Sequence, residues 1–403
     1  MPLYQYVAKN REGKSVTGTI DSVNPNTAAK SLRDQGLMPT SINQTTAKAR
    51  RIDKGKGGKA KIEDLVIFSR QLATMIRAGL PLIEVLNILS EQSEKRIFKT
   101  VLKAVEKDVE AGLSFTEALA KHDNIFNEFI VNMIRAGEAS GMLDTILDQI
   151  AVYLEKTASL QRKIKSAVMY PLVVSIVAMA ITVFLLITVV PVFEDIFSGF
   201  DAELPGVTQF TIAISNLLKN YWYIFLIVIF GTFFGAKFYY KTSRGRFVLD
   251  KLKLKLPVFG PLFMKVAVSK FSRTLSTLIR SGVNILAALE IVAKTAGNSV
   301  IEQTVYQTRL SIQSGESISK PLMEAEIFPP MVVRMIDVGE RTGALESMLS
   351  KIADFYEDQV DSAVSGLTSL IEPLLIVGLG LIVGFIVISM YFPIFKLIEV
   401  VSG

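Results

Sequence analysis

The sequence predicts an all-α membrane protein. Two duplicated cytoplasmic six-helix bundles are joined to three transmembrane helices, with a small α+β cap at the N-terminus. Three observations carry that prediction. The chain repeats itself: FSRQLATMIRAG at 68–79 returns as FSRTLSTLIRSG at 271–282, an offset of 203 residues. Three long stretches are apolar and uncharged, and basic residues crowd one end of each of the first two.

Taken in order, residues 3–8 and 15–20 alternate as short strands around a turn at 10–13. Residues 26–35 read as a helix ending at Gly36, and 38–42 as a third strand. Together they form a cap over 1–44. Residues 45–61 are basic and glycine-rich and have nothing to bury, so they form a linker. No strand precedes this stretch and no Gly-Lys-Ser/Thr follows, which argues against a phosphate-binding loop; contact with anionic lipid is compatible with its charge. From the absence of a basic stretch followed by an apolar run at the N-terminus, no cleavable signal peptide is expected.

The first bundle is expected over 62–166. Leu65, Phe68, Leu72, Met75 and Ile76 follow a helical period. Gly79 stops that helix and Pro81 opens the next. Gly112 ends another, and Ser114 with Glu117 has the spacing of a capping box. In the second copy Ser317 is expected to keep the N-cap, but Lys320 replaces the glutamate. Gly137 and Gly141 are expected to bracket a turn, as are Gly339 and Gly343, after which a long helix from Leu143 enters the first span. The second bundle is expected over 265–372.

The spans are expected at 167–193, 221–240 and 373–395. The first and last are long enough to cross a hydrocarbon core of about 30 Å. The middle one is bracketed by Tyr221, Trp222 and Tyr223 and by Phe238, Tyr239 and Tyr240, like interfacial aromatic belts. Lys156, Arg162, Lys163 and Lys165 precede the first span; Lys237 lies in the last turn of the second, and Lys241, Arg244 and Arg246 follow it. The basic sides are cytoplasmic. The N-terminus is therefore expected inside, a loop at 194–220 outside in the periplasm, a basic connector at 241–264 inside and the tail at 396–403 outside. The second span belongs to neither repeat. It is the return helix that lets both bundles face the cytoplasm.

The composition excludes much chemistry. There is no cysteine, and His122 is the single histidine, so thiol catalysis, thiolate metal sites and multi-histidine clusters are ruled out. His122 reads as a solvated side chain. Asp354, Glu357, Asp358 and Asp361 suit either a divalent cation or a solvated face. The most distinctive local motif is Gly-Glu-x-Ser/Thr-Gly, with Gly137, Glu138 and Gly141 in one copy and Gly339, Glu340 and Gly343 in the other. Its glutamates are either partner contacts or carboxylates facing a helix dipole. Arg77 and Arg280 fall in last helical turns, where a cation complements the dipole. Gly231 with Gly235, and Gly380 with Gly384, are small-xxx-small pairs for helix packing within one chain or between chains. Apart from Lys237 near the end of the second, no charged residue lies inside a span, which disfavours a coupled transporter.

These features resemble the type II secretion F family, the inner-membrane platform proteins (GspF, PilC) of type II secretion and type IV pilus systems. The resemblance rests on Tyr4-Gln-Tyr-Val-Ala8, Gly18-Thr-Ile20 and Gly36-Leu-Met-Pro39, and on both Phe-Ser-Arg starts and both Gly-Glu turns. Tyr170-Pro171, Glu372-Pro373, Leu256-Pro-Val-Phe-Gly260 and the terminal Tyr391-Phe-Pro-Ile-Phe395 also match, the tail being similar to that of the MSHA-type pilus branch. The resemblance implies a non-enzymatic assembly platform without cofactor. Its implied partners are a cytoplasmic hexameric assembly or secretion ATPase, pilins or pseudopilins, other inner-membrane assembly proteins, membrane lipid and further copies of itself, with no nucleic acid. The alternatives are a transporter or channel built on a duplicated helical unit, and a receptor sensing through its N-terminal cap.

Overall fold

The computed structural model describes residues 3–9, 15–22, 24–34, 37–45, 61–198, 205–257 and 259–402. The expected linker at 45–61 and the turn at 10–13 fall almost wholly or wholly outside these residues, as does Gly36. The chain divides into a small unit, residues 1–59, and a large one, residues 60–403.

Among its described residues the small unit is a three-stranded antiparallel sheet with one helix: β1 (Leu3–Lys9), β2 (Ser15–Asp21), α1 (Pro25–Asp34) and β3 (Met38–Thr45). β1 is central, in the order β2-β1-β3, with Tyr6 opposite Gly18 on one side and Ile42 on the other. The Asn24 side chain starts α1 by accepting from the Thr27 N–H at 2.8 Å. Ala28 and Leu32, one turn apart, are fully buried in this unit.

The large unit begins with α2 (Ile62–Arg77), α3 (Leu82–Gln92), α4 (Arg96–Glu110), α5 (Phe115–Ala120), α6 (Glu128–Ser140) and α7 (Leu143–Phe184). These make a six-helix bundle. Its punctuation is the expected one at most points. Gly79 takes φ +87°, and the Leu80 N–H reaches back to the Met75 carbonyl at 3.2 Å, closing α2. Ser114 and Glu117 form the reciprocal capping box of α5. Phe68, Phe98 and Phe126 form an aromatic triangle at the centre, with centroids 5.5–6.3 Å apart.

α7 then continues into the apolar region, past Pro171, to a π turn at Leu185–Val189 and a short α8 (Val190–Ser198). α9 (Gly206–Tyr240) carries the second apolar segment, with a break in helical geometry at Tyr221 (φ −121°, ψ 18°). α10 (Ser243–Lys255) follows. The second bundle comprises α11 (Phe259–Arg280), α12 (Ile285–Thr295), α13 (Ser299–Gln313), α14 (Ser319–Glu324), α15 (Pro330–Thr342) and α16 (Leu345–Ser402). α16 is one helix from bundle to apolar end. Among the described residues three helices are long and apolar enough to cross a membrane, and their middles turn Ile176, Met179, Ile227, Phe233, Leu374 and Leu381 outward, as lipid requires.

Four differences from expectation have physical causes. Residues 206–220, expected in a loop, are helical. Their polar residues Thr208, Thr211 and Ser215 share one helical face, and that face is buried rather than solvated. Thr208 Oγ1 donates to the Ser389 carbonyl at 2.6 Å, Thr211 Oγ1 lies 3.0 Å from Ser389 Oγ, and Ser215 Oγ donates to the Leu186 carbonyl in the π turn at 2.5 Å. The connector expected at 241–264 is mostly α10 and the first turns of α11, because Thr242 caps the former through the Gly245 N–H. Ser317 is not the N-cap of α14: Ile318 is, and the Ser317 hydroxyl lies instead 3.2 Å from that of Ser319. His122 is half-buried rather than solvated. Burial lowers its pKa from 6.5, so the ring is neutral at pH 7.

α7 and α16 run parallel. Lys156 meets Glu357, Lys163 meets Asp361 and Tyr170 meets Glu372, the partners ascending together along both helices. α9 runs the other way. It starts against Ser389 and Leu186, far from the bundles, and ends at Tyr240, whose hydroxyl lies 3.1 Å from Asp250 beside bundle 2.

Candidate partner-binding faces of the paired bundles

The Gly-Glu motif resolves into three separate tasks. Gly137 lies inside the last turn of α6 rather than at a turn, because α7 crosses it there. A Cβ at Gly137 would stand 3.1 Å from Ile146 Cβ and 3.3 Å from the Leu143 backbone. At Gly339 it would stand 3.0 Å from Leu345 Cα. Gly141 and Gly343 take φ +70° and end their helices in the left-handed region. Between them the glutamate reaches to a different helix. Glu138 accepts from the backbone N–H groups of Phe115 (2.7 Å) and Thr116 (3.0 Å), and from the Thr116 hydroxyl, so it caps α5 across the bundle. Glu340 likewise accepts from the Ile318 N–H at 3.0 Å, at the start of α14. The carboxylates do face a helix dipole, but that of a neighbouring short helix.

The arginines make ladders that the sequence reading did not foresee. Arg70 bonds Asp148 (2.9 Å) and Glu155 (2.6 Å), and Arg77 meets Asp148 at 3.0 Å, tying α2 to α7. In the second copy Arg273 bonds Asp354 (2.5 Å) and Glu357 (2.7 Å), and Arg280 pairs with Glu346, tying α11 to α16. The signal was present: Arg70 and Arg273 stand 203 residues apart, and Glu155 and Glu357 stand 202 apart. Of the four acidic residues considered for a cation, three are held by Arg273, Lys156 or Lys163. No group of three His, Asp or Glu side chains suited to a metal occurs among the described residues.

The two bundles share one apolar core running from Phe68 to Tyr356. They meet chiefly through α7 against α16, and also through α6 and α7 of the first against α11 and α12 of the second. Phe129 stacks on Tyr153 with centroids 4.0 Å apart, and the Tyr153 hydroxyl lies 3.1 Å from Thr274. Ser281 Oγ lies 3.0 Å from the Met133 sulfur, and Lys294 bonds Glu128 at 2.9 Å. Buried Asp250 clasps α10 to bundle 2 by accepting from the Ser299 N–H and from Lys253, both at 2.9 Å. Burial alone would raise its carboxyl; these hydrogen bonds outweigh it and hold the pKa below the ordinary 3.8. Around Gly231, Gly235, Gly380 and Gly384 there is open space where a Cβ would point, so these glycines face away from the rest of the chain.

The duplicated bundles coincide with a known domain. The profile of type II secretion system protein F matches twice, at 68–191 and 271–393, and that of its N-terminal domain matches residues 1–43. The chain belongs to the type II secretion system protein F family. It is 48 % identical over 409 residues to the type IV pilus assembly protein PilC of Thermus thermophilus, covering 100 % of both chains. It is 43 % identical to that of Myxococcus xanthus, over 98 % of this chain and 94 % of the relative. To the type II secretion system protein F of Vibrio cholerae it is 31 % identical, over 100 % of both. The two family matches each run from the Phe-Ser-Arg start through the Gly-Glu turn into a span, so the repeat is a repeat of this domain.

Proposed function

We propose that this protein is an inner-membrane platform for assembling a type IV pilus or a type II secretion pseudopilus, coupling a cytoplasmic assembly ATPase to the insertion of pilins or pseudopilins. The observation that carries the reading is full-length likeness to proteins named for type IV pilus assembly, at higher identity than to those named for type II secretion. The geometry supports it. α7 has 42 residues and α16 has 58. At 1.5 Å per residue these are rods of about 60 and 90 Å, so a displacement of either bundle is carried into the bilayer without an intervening loop. The bundles lie in the cytoplasm on this reading, because Arg162, Lys163 and Lys165 precede the first span and Lys241, Arg244 and Arg246 follow the second.

Deleting the gene in its host should abolish filaments or secretion, and complementation should restore them, while purified protein in proteoliposomes moves no solute. Solute flux from the protein alone would overturn the reading. A phosphatase fused after residue 245 should be inactive and one fused after residue 200 active; the reverse would sink the topology.

A further inference from the structure

The two bundles share a fold but do not use the same surfaces. Within the chain, bundle 1 presents a face built on α6 and α7, with Phe129, Met133 and Tyr153, to a face of bundle 2 built on α11 and α12, with Thr274, Ser281 and Lys294. Each of these faces has a counterpart in the other copy, and neither counterpart is covered. The repeat places Met331, Met335 and Phe355 where bundle 1 has Phe129, Met133 and Tyr153. Phe129 is fully buried, whereas Met331 is 42 % and Phe355 45 % exposed. Met331, Arg334, Met335 and Val338 line an open apolar groove of about 500 Å³. On bundle 1, the counterparts of Thr274, Ser281 and Lys294 are Gln71, Ala78 and Glu91, all exposed. Ile67, matching Lys270, is 58 % exposed and borders a cleft of about 290 Å³ with Gln71.

A contact between two different faces of related units is heterologous, and such a contact leaves one face of each kind unused at the two ends. We propose that the α15 face of bundle 2, centred on Met331, Met335 and Val338, docks onto the α2–α3 face of bundle 1 in a second copy of this chain. The contact made inside one chain is then repeated between chains. Two observations favour a second copy over an unrelated partner. The charges remain complementary with their signs exchanged: Glu128 meets Lys294 inside the chain, whereas the free α15 face offers Arg334, one turn beyond Pro330 at the place of Glu128, and the free α3 face offers Glu91 at the place of Lys294. The membrane geometry also permits it. α7 and α16 are parallel, so the operation relating one bundle to the next preserves the membrane normal, and repeating it keeps the next chain's spans in the same bilayer.

The inference does not depend on which filament the protein serves. The chain has no cysteine, which makes a crosslinking test clean. A Pro330→Cys chain and a Glu91→Cys chain, the counterparts of Glu128 and Lys294 in the other copy, are differently tagged, expressed together and oxidised in membranes. The expected result is a reducible dimer carrying both tags, lost on adding Met331→Asp to the first chain. In a separate chain, the triple variant Glu128→Cys, Lys294→Cys and Met331→Asp, the internal pair should still close, showing that the bundles remain folded. Closure of the internal pair without any mixed-tag dimer would overturn the proposal. So would a dimer of Pro330→Cys with itself as the main product, or capture of another protein in place of a second copy.

Discussion

A carboxylate that caps a helix in another part of the chain contributes as a local cap does, and its removal strands the same donors. Glu138→Ala leaves the N–H groups of Phe115 and Thr116 without their partner. The expected cost is about 1–2 kcal/mol in thermal unfolding of the purified protein; Glu138→Gln, which keeps an acceptor, should cost less. Lys270 makes the opposite case. It is half-buried on α11 with no ion pair among the described residues, and burial lowers its pKa from 10.5. The folded state therefore binds its proton less readily than the unfolded state, so this group's contribution to stability rises with pH through its lowered pKa towards 10.5. Lys270→Met should raise the melting temperature at pH 7, by about 1 kcal/mol of stability, and should flatten the alkaline rise. A lower melting temperature would show that the ammonium is satisfied where it stands. At this scale the sequence was half legible. Ser114 and Glu117 sit three residues apart and announced their cap, whereas Glu138 acts on residues 22 and 23 positions away, a separation that no local pattern encodes.

The elements were easier to read than their contacts. Period and glycine stops placed helices of the first bundle and the repeat carried their number to the second, because a helix that must bury one stripe shows that stripe in its sequence. The first half of α9 escaped because it inverts the rule: its buried stripe is hydroxylated. In a bilayer a hydroxyl facing another helix can bond across to it, whereas one facing lipid, like that of Thr232, bonds back to its own helix; Thr208, Thr211 and Ser215 turn inward and tie α9 to its neighbours. Ser215→Val should remove the bond to the Leu186 carbonyl and cost about 0.6 kcal/mol, the average for such bonds in membrane proteins. Thermal unfolding in detergent measures it. No loss would mean that the π turn does not need this donor.

For the whole molecule, the length of α7 and α16 carries the mechanical argument. Inserting Gly-Gly-Ser after Lys165 should leave both bundles folded, as judged by their melting, and abolish filament assembly or secretion in cells. Wild-type assembly would show that no force passes through α7. The repeat itself was visible in the sequence; the inequality of its two copies at their faces was not, because it depends on which side chains the other copy covers. The non-local caps have a last consequence, in the order in which the molecule opens. α5 and α14 have six residues each, too few to persist alone, so each can form only once the helix bearing its glutamate is in place. Their amides should exchange with solvent first within their bundles, and those of α14, which lacks the second, local cap that Ser114 and Glu117 give α5, should exchange faster. The two halves of one chain would then report, in a single hydrogen-exchange experiment, how much that local cap slows the opening.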